Sequence, residues 1–85
     1  MTPTEIALLA TFRTPAVRLD DICEKYFNLS LRRANYQASL QLLPVPTFRM
    51  SESRKAPRMV KISDLAKFLD ERAEVGKKDW VASQV

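Results

Sequence analysis

Histidine is absent from this chain of 85 residues, and cysteine and glycine occur only once each. The absence of histidine removes the commonest general base and the commonest metal ligand. A single cysteine excludes an intramolecular disulfide and every zinc site that is built on a cysteine cluster. A chain this short forms one domain and leaves little room for a substrate cleft beside its own core. We therefore expect a protein that is not an enzyme and that needs no cofactor or metal.

Long apolar runs are also missing, since no stretch approaches the ~18 residues that a membrane-spanning helix needs. Residues 1–5 lack the basic start of a secretory signal. The single cysteine fits a reducing compartment, because structural disulfides belong to oxidising ones. With 46% hydrophobic and 28% charged residues, the composition is that of a folded protein. Together these features predict a cytoplasmic domain that makes no contact with a membrane.

Acidic residues are scarce in one third of the chain, residues 30–62. This segment holds seven bases and one acid, Glu52, although the whole chain carries a net charge of only +4. The seven bases are Arg32, Arg33, Arg49, Arg54, Lys55, Arg58 and Lys61. Because the positive charge is concentrated in one segment, it indicates a polyanionic partner. The alternative is a solvated surface that is basic without any such partner.

A helix is predicted near each end of the chain. Thr2-Pro3-Thr4-Glu5 has a capping threonine, a first-turn proline and a capping-box glutamate. The residues that follow are so apolar that they pack either entirely within the chain or partly against a second copy. They are Ile6, Leu8, Leu9, Ala10 and Phe12. Ser63-Asp64 caps the last helix, which Gly76 can end, and residues 77–85 would form a flexible tail that carries Trp80. The inward residues predicted for this last helix are Leu65, Phe68, Leu69 and Ala73.

Two short helices are predicted in the middle of the chain. Two aspartates followed by apolar residues at helical spacing favour a helix over residues 20–27, with Cys23 buried on its inner face. After a tight corner, Ser30 caps a third helix over residues 31–41. Its predicted inward residues are Leu31, Ala34, Ala38 and Leu42. Its predicted outward residues are Arg32, Arg33, Tyr36, Gln37 and Gln41, with Asn35 and Ser39 near the boundary.

The outward face of the third helix has the side chains that proteins use to contact DNA. Arginine, asparagine, tyrosine, glutamine and serine read base edges and hold phosphates. A solvated helix face would be the simpler interpretation of a helix on its own. Here, however, a short turn joins it to a preceding helix, and the second helix of the pair is the polar one. This arrangement is typical of a helix-turn-helix.

A hairpin is predicted after Pro44 and Pro46, which together exclude a helix. Residues 47–51 and 58–62 alternate in polarity, as strands do, and a polar tip lies between them. This tip contains Arg54 and Lys55. A two-stranded hairpin beside a helix-turn-helix forms a wing. The expected fold is therefore mainly helical α+β, with a winged helix-turn-helix DNA-binding domain over residues 1–76.

Several runs of residues are similar to those of a known family. The most specific are Leu43-Pro44-Val45-Pro46-Thr47-Phe48-Arg49, Ser53-Arg54-Lys55-Ala56-Pro57 and Asp64-Leu65-Ala66, to which Val17-Arg18-Leu19-Asp20-Asp21-Ile22-Cys23 and Tyr26-Phe27 are added. These runs resemble the pyocin activator family of the PrtN type, over about residues 5–72. A short extended segment is also predicted at Val17-Arg18-Leu19, so the order of elements is helix, short strand, helix-turn-helix, wing hairpin and helix. This order resembles the small winged-helix domains of phage excisionases and of the MerR group. The family resemblance implies a prophage-type activator that binds DNA upstream of bacteriocin or phage-tail genes.

The expected partner is double-stranded DNA, with residues 30–41 in the major groove and the hairpin tip crossing the backbone into or beside the minor groove. The candidate DNA-binding residues are Ser30, Arg32, Arg33, Asn35, Tyr36, Gln37, Arg49, Arg54, Lys55 and Arg58. One module of this kind buries only ~600–1,000 Å² on DNA, which is usually too little for operator affinity. We therefore expect a homodimer or a multimer on DNA, and RNA polymerase is a candidate partner of an activator.

Two other functions fit the sequence. An excisionase-like architectural protein would share the fold but would bend DNA instead of activating transcription. A prophage protein-interaction module would use the apolar first helix and Trp80, and it would show no salt-dependent binding to DNA. The sequence leaves these alternatives open.

Overall fold

The computed structural model describes residues 1–84, which form four helices and a three-stranded antiparallel sheet. The elements in chain order are α1 (Pro3–Phe12), β1 (Ala16–Arg18), α2 (Leu19–Phe27), α3 (Leu31–Ser39), β2 (Phe48–Arg49), β3 (Arg58–Lys61) and α4 (Ile62–Ser83). The predicted mainly helical α+β class is confirmed. The sheet has one strand more than the two-stranded hairpin that the sequence predicted.

The additional strand is β1, which pairs with β3 on the side opposite to β2. In this antiparallel pairing Val17 lies opposite Val60, and both side chains are buried. The backbone N–H of Ile62 also donates to the carbonyl of Pro15 at 2.8 Å. Cross-strand apolar pairs of this kind stabilise a sheet, and they make β3 its central strand. The short strand that the sequence predicts over Val17-Arg18-Leu19 lies at Ala16–Arg18 and joins the sheet of the hairpin.

The predicted capping residues set the starts of α1 and α3. The Thr2 hydroxyl accepts from the backbone N–H of Glu5 at 3.1 Å, and the Ser30 hydroxyl accepts from the N–H of Arg33 at 3.3 Å. Each cap satisfies a backbone donor that the first helical turn leaves unpaired. Between α2 and α3, Asn28 adopts a left-handed conformation with φ of 55°. This tight corner leaves three residues between the two helices.

The core lies between the sheet, α2, the inner face of α3 and the first turns of α4. Its largest fully buried side chains are Leu19, Ile22, Cys23, Val60, Ile62 and Leu65. Phe27 and Phe68 add an edge-to-face contact between α2 and α4, with ring centroids 5.1 Å apart. The predicted burial of Cys23 is confirmed, and its thiol is free.

Two of the inward residues predicted for α3 are exposed instead, and the helix is shorter than predicted. Ala34 and Ala38 are buried, but Leu31 is 43% exposed and Leu42 is 64% exposed. The helix ends at Ser39 rather than at residue 41, because the N–H of Leu42 turns back to the Gln37 carbonyl at 2.9 Å. Leu42 therefore no longer follows helical spacing. Leu31 begins the helix at the edge of a surface cleft and not over the core.

Helix α4 begins at Ile62 and continues through Gly76 to Ser83. The predicted cap at Ser63-Asp64 is wrong, because both residues lie inside the first helical turn and Lys61 holds the N-cap position without a side-chain hydrogen bond. The prediction that Gly76 ends the helix is wrong. A glycine inside a helix costs only ~1 kcal/mol relative to alanine, and the residues that follow it are adequate helix formers. Ala73, which was predicted to face inward, is exposed, since this half of α4 extends beyond the core. The mobility of residues 77–85 stays a prediction, and Val85 lies outside the described residues.

Replacing Gly76 by alanine should stabilise the second half of α4. An added Cβ would meet no heavy atom within 4 Å, so the substitution removes the entropic cost of glycine without a clash. We expect amide hydrogen exchange in residues 77–82 to slow by about two- to fivefold in dilute solution, which corresponds to ~0.5–1 kcal/mol. Ala73→Gly is the matched control and should accelerate exchange. Unchanged exchange in both variants would contradict a continuous helix through residue 76.

Candidate nucleic-acid interface

Helix α3 is amphipathic, and its outer face is polar and basic. Ala34 and Ala38 are fully buried, which fixes the inner face against the core. Side chains one or two positions from Ala34 or Ala38 point away from this inner face, so the opposite face of α3 is turned to solvent. The exposed residues on it are Arg32, Arg33, Asn35 and Tyr36, and Gln37 is half-buried. No acidic residue occurs in α3, so nothing on this helix neutralises its two arginines.

Ser30 is the N-cap residue of α3 and lies at the edge of this surface. Its hydroxyl oxygen accepts from the N–H of Arg33 and so fixes the beginning of α3. The side chain itself is exposed. The N-terminal end of the helix carries a partial positive charge from its backbone dipoles, and this charge attracts anions. The cap thereby places Arg32 and Arg33 in the first helical turn, next to that positive end.

The hairpin formed by β2 and β3 sets two arginines directly across from each other. Arg49 and Arg58 are partners in the antiparallel register. The Nε of Arg49 donates to the Ala56 carbonyl at 3.0 Å, and a guanidinium nitrogen of Arg58 donates to the Thr47 hydroxyl at 3.3 Å. Burial and the neighbouring charge of Arg49 lower the pKa of the Arg58 guanidinium. Like charges placed opposite each other destabilise a sheet, so a bound anion would relieve the repulsion.

No carboxylate neutralises this arginine pair within residues 1–84. The one side-chain ion pair in that part of the chain joins Arg18 Nε to Asp20 Oδ1 at 3.0 Å. Arg49 and Arg58 are thus held by neutral acceptors, which fix their positions without cancelling their charge. This combination suits the binding of a phosphate group.

Serine side chains shape the tip of the hairpin. The backbone N–H of Ser53 donates to the Ser51 hydroxyl at 3.3 Å, and the N–H of Lys55 donates to the Ser53 hydroxyl at 3.2 Å. Such local bonds replace strand pairing in turns. They leave the side chains of Arg54 and Lys55 exposed at the end of the hairpin.

A surface cleft of about 110 Å³ connects α3 with the hairpin. Leu31 and Asn35 from α3 line one side, and Pro57 and Arg58 line the other. The structure therefore brings together two of the predicted site residues, Asn35 and Arg58, from distant parts of the sequence. The other predicted residues of α3 and of the hairpin tip do not line this cleft.

The residues Arg18, Leu19 and Asp20 also line the cleft. Arg18 was not among the predicted site residues, because it lies outside the basic segment 30–62. Only the pairing of β1 with β3, in which Arg18 stands opposite Met59, brings it to this surface. No local signal in the sequence could have identified it. Its pairing with Asp20 lowers the net positive charge that it adds there.

The fold and this surface define a small, mainly helical α+β domain whose excess of positive over negative charge lies on one helix, α3, and one hairpin. Within residues 1–84, no helix combines the length and the apolar character that crossing a bilayer requires.

A comparison with protein families identifies this domain further. The family model with the description "Pyocin activator protein PrtN" matches residues 4–75, which is most of the chain. The chain belongs to this family, and the resemblance seen in the sequence is confirmed. The family is regulatory and non-enzymatic, and membership implies activation of the transcription of pyocin genes. No curated protein and no solved structure matched the chain.

Proposed function

We propose that the protein is a sequence-specific, DNA-binding activator of prophage or bacteriocin genes. In this proposal α2 and α3 form a helix-turn-helix, and β2 and β3 form its wing. The observation that carries it is the cleft that both Asn35 of α3 and Arg58 of the hairpin line. A base-reading side chain and a phosphate-binding side chain then act on the same stretch of DNA.

Helix α3 supplies the residues for base contacts. Asparagine and glutamine can make two hydrogen bonds to adenine, and arginine can make two to guanine. Asn35 and Tyr36 are exposed, and the nearby Arg32 and Arg33 can bind the flanking phosphates or a guanine. An α-helix of this kind fits the major groove of B-DNA. We therefore assign Asn35 and Gln37 to base contacts and Ser30 to the phosphate at the beginning of the helix.

The hairpin supplies the contacts to the DNA backbone. Among residues 1–84 the opposed pair of Arg49 and Arg58 has no acidic partner, and a phosphate between or beside the two guanidinium groups would remove their repulsion. Arg54 and Lys55 extend from the exposed tip. Contacts to phosphate position a protein on the duplex without reading its sequence.

The proposed assembly on DNA contains more than one copy. A single small module buries ~600–1,000 Å² on DNA, which rarely gives operator affinity alone. Two copies would supply contacts to two half-sites. We propose a homodimer or multimer on DNA and RNA polymerase as the partner through which transcription is activated.

Substitutions in α3 and in the hairpin tip should weaken DNA binding in different ways. Asn35→Ala should cost ~1–3 kcal/mol at the preferred site and change which sequence is preferred, because a base contact is lost. The double substitution Arg54→Ala with Lys55→Ala should weaken binding to every sequence by a similar factor. The measurement is selection of bound fragments from a pool of genomic DNA, followed by affinity measurements on preferred and unrelated duplexes.

Lys78→Ala is the control, since it removes one positive charge from α4, far along the chain from both elements. It should leave the preferred sequence unchanged and alter affinity only slightly. If Asn35→Ala weakens binding to all sequences equally, α3 does not read bases. Strong bending of the DNA by the unmodified protein, without sequence preference, would favour the architectural alternative.

A further inference from the structure

The second half of α4 projects from the body of the protein. Every residue from Asp70 to Gln84 is exposed, including Trp80 at 63%. The Thr4 hydroxyl donates to a carboxylate oxygen of Asp70, which marks the last side-chain hydrogen bond between α1 and α4 within residues 1–84. The structure is correspondingly elongated, with principal extents of 53 × 27 × 17 Å. About four turns of helix therefore lack a partner within the described chain.

A row of apolar and small residues continues from the buried part of α4 into this projecting part. Ile62 and Ala66 are buried in the core, and Leu69 is half-buried at its edge. The same alternating spacing of four and three residues leads on to Ala73, Gly76 and Trp80. We call Leu69, Ala73, Gly76 and Trp80 the projecting stripe. Alternation of three and four residues is the spacing with which one helix packs along another.

The charges beside the projecting stripe indicate which partner would fit. Asp70 and Lys77 flank it on one side, and Arg72 and Asp79 flank it on the other. On each side the two charges are seven residues apart and of opposite sign. In an antiparallel pair of identical helices, equivalent flanking positions face each other across the contact. Asp70 then meets Lys77 of the partner subunit, and Arg72 meets Asp79 of the partner subunit.

The opposite orientation gives no such match. In a parallel pair, a residue on one flank faces the residue five positions further along on the other flank of the second helix. Arg72 would then meet Lys77 of the partner subunit, which is a contact between like charges. Arg72 and Asp79 also have no oppositely charged residue three or four positions away on their own helix. Their charges are therefore available for a contact between helices.

We propose that two copies of the chain associate by antiparallel pairing of their α4 helices over residues 69–80. Leu69 packs against Trp80 of the partner subunit at each end of the contact. Ala73 packs against Gly76 of the partner subunit in the middle, where small side chains let the two backbones approach closely. The pairing buries both indole rings, which a monomer leaves in water. This pairing of α4 helices needs no DNA, so its test is independent of the proposed function.

Sedimentation equilibrium of the full chain without DNA tests this pairing. We expect a monomer–dimer equilibrium whose dissociation constant rises roughly tenfold in Arg72→Asp and in Asp79→Arg, because each change creates two like-charge contacts per dimer. The double variant Arg72→Asp/Asp79→Arg should return to the affinity of the unmodified protein. Trp80→Glu should abolish dimer formation. Val75→Glu is the matched control, since Val75 is also apolar and exposed on α4 but points away from the stripe, and it should leave the dimer intact.

Circular dichroism of each variant establishes that α4 and the core are folded, which is expected because all the changed residues are exposed. A tighter dimer in Arg72→Asp would show a parallel arrangement and overturn the proposal. Equal losses in Val75→Glu and Trp80→Glu would also overturn it, as would an unmodified protein that stays monomeric up to its solubility limit. In that last case a different protein, such as RNA polymerase, would be the better occupant of the stripe.

Discussion

Raising the salt concentration from about 50 to about 200 mM should weaken the binding of this protein to DNA by roughly 250- to 1,000-fold. Of the seven bases in residues 30–62, all but the half-buried Arg58 are exposed. If four to six of them contact phosphates, each contact releases condensed counterions, and the logarithm of the affinity falls with the logarithm of salt at a slope of roughly −4 to −5. Fluorescence anisotropy with a labelled duplex measures this slope directly.

The double substitution Arg54→Ala with Lys55→Ala gives the internal control for this measurement. Removal of two phosphate contacts should reduce the slope by up to about two, whereas Lys78→Ala on α4 should leave it unchanged. A slope near zero for the unmodified protein would exclude nucleic acid as its partner. It would favour a module that binds another protein through α1 or Trp80.

The parts of the fold that the sequence predicted correctly are those decided by neighbouring residues. Thr2 and Ser30 cap the helices as expected, because a hydroxyl at such a position accepts a bond from an N–H only three residues away. The corner at Asn28 likewise depends on a residue that tolerates the left-handed conformation. The burial of Ala34 and Ala38 followed from their helical spacing, whereas Leu31 and Leu42, which were predicted for the same face, are exposed.

The errors arose where distant residues or small energies decide the structure. Strand β1 is only three residues long, and its place in the sheet depends on the meeting of Val17 and Val60, which no local pattern encodes. The length of α4 was underestimated because Gly76 can either end a helix or continue it at a cost of ~1 kcal/mol. The end of α3 before Gln41 is likewise decided by a small difference in free energy between continuing and ending the helix.

The candidate interface was predicted in composition but not in arrangement. The polar face of α3 and the basic hairpin tip are visible in the sequence, since each is formed by consecutive residues. Their junction is not, because Asn35 and Arg58 share a cleft only after β3 has paired with β1 and α3 has packed on the core. The opposition of Arg49 and Arg58 depends on strand register for the same reason. Contact of these residues with DNA stays a prediction.

Ile22→Ala should destabilise the protein by ~2–5 kcal/mol, because it leaves a cavity at the centre of the core. The side chain of Ile22, on α2, is fully buried. The side chains of Val60 on β3 and Leu65 on α4 are fully buried as well. A domain of this length has a total stability of only ~4–13 kcal/mol, so the loss is a large fraction of it. Urea denaturation followed by circular dichroism measures the change in the free energy of unfolding.

Val75→Ala is the control for this substitution, since it also shortens an aliphatic side chain in a helix but at an exposed position of α4. It should change the free energy of unfolding by less than ~0.5 kcal/mol. A loss below ~1 kcal/mol in Ile22→Ala would contradict the tight packing of α2 against β3 and α4. Because α3 is held in place by α2, the same substitution should weaken DNA binding in proportion to the unfolded fraction. The preferred DNA sequence should not change, which separates loss of the fold from loss of a base contact.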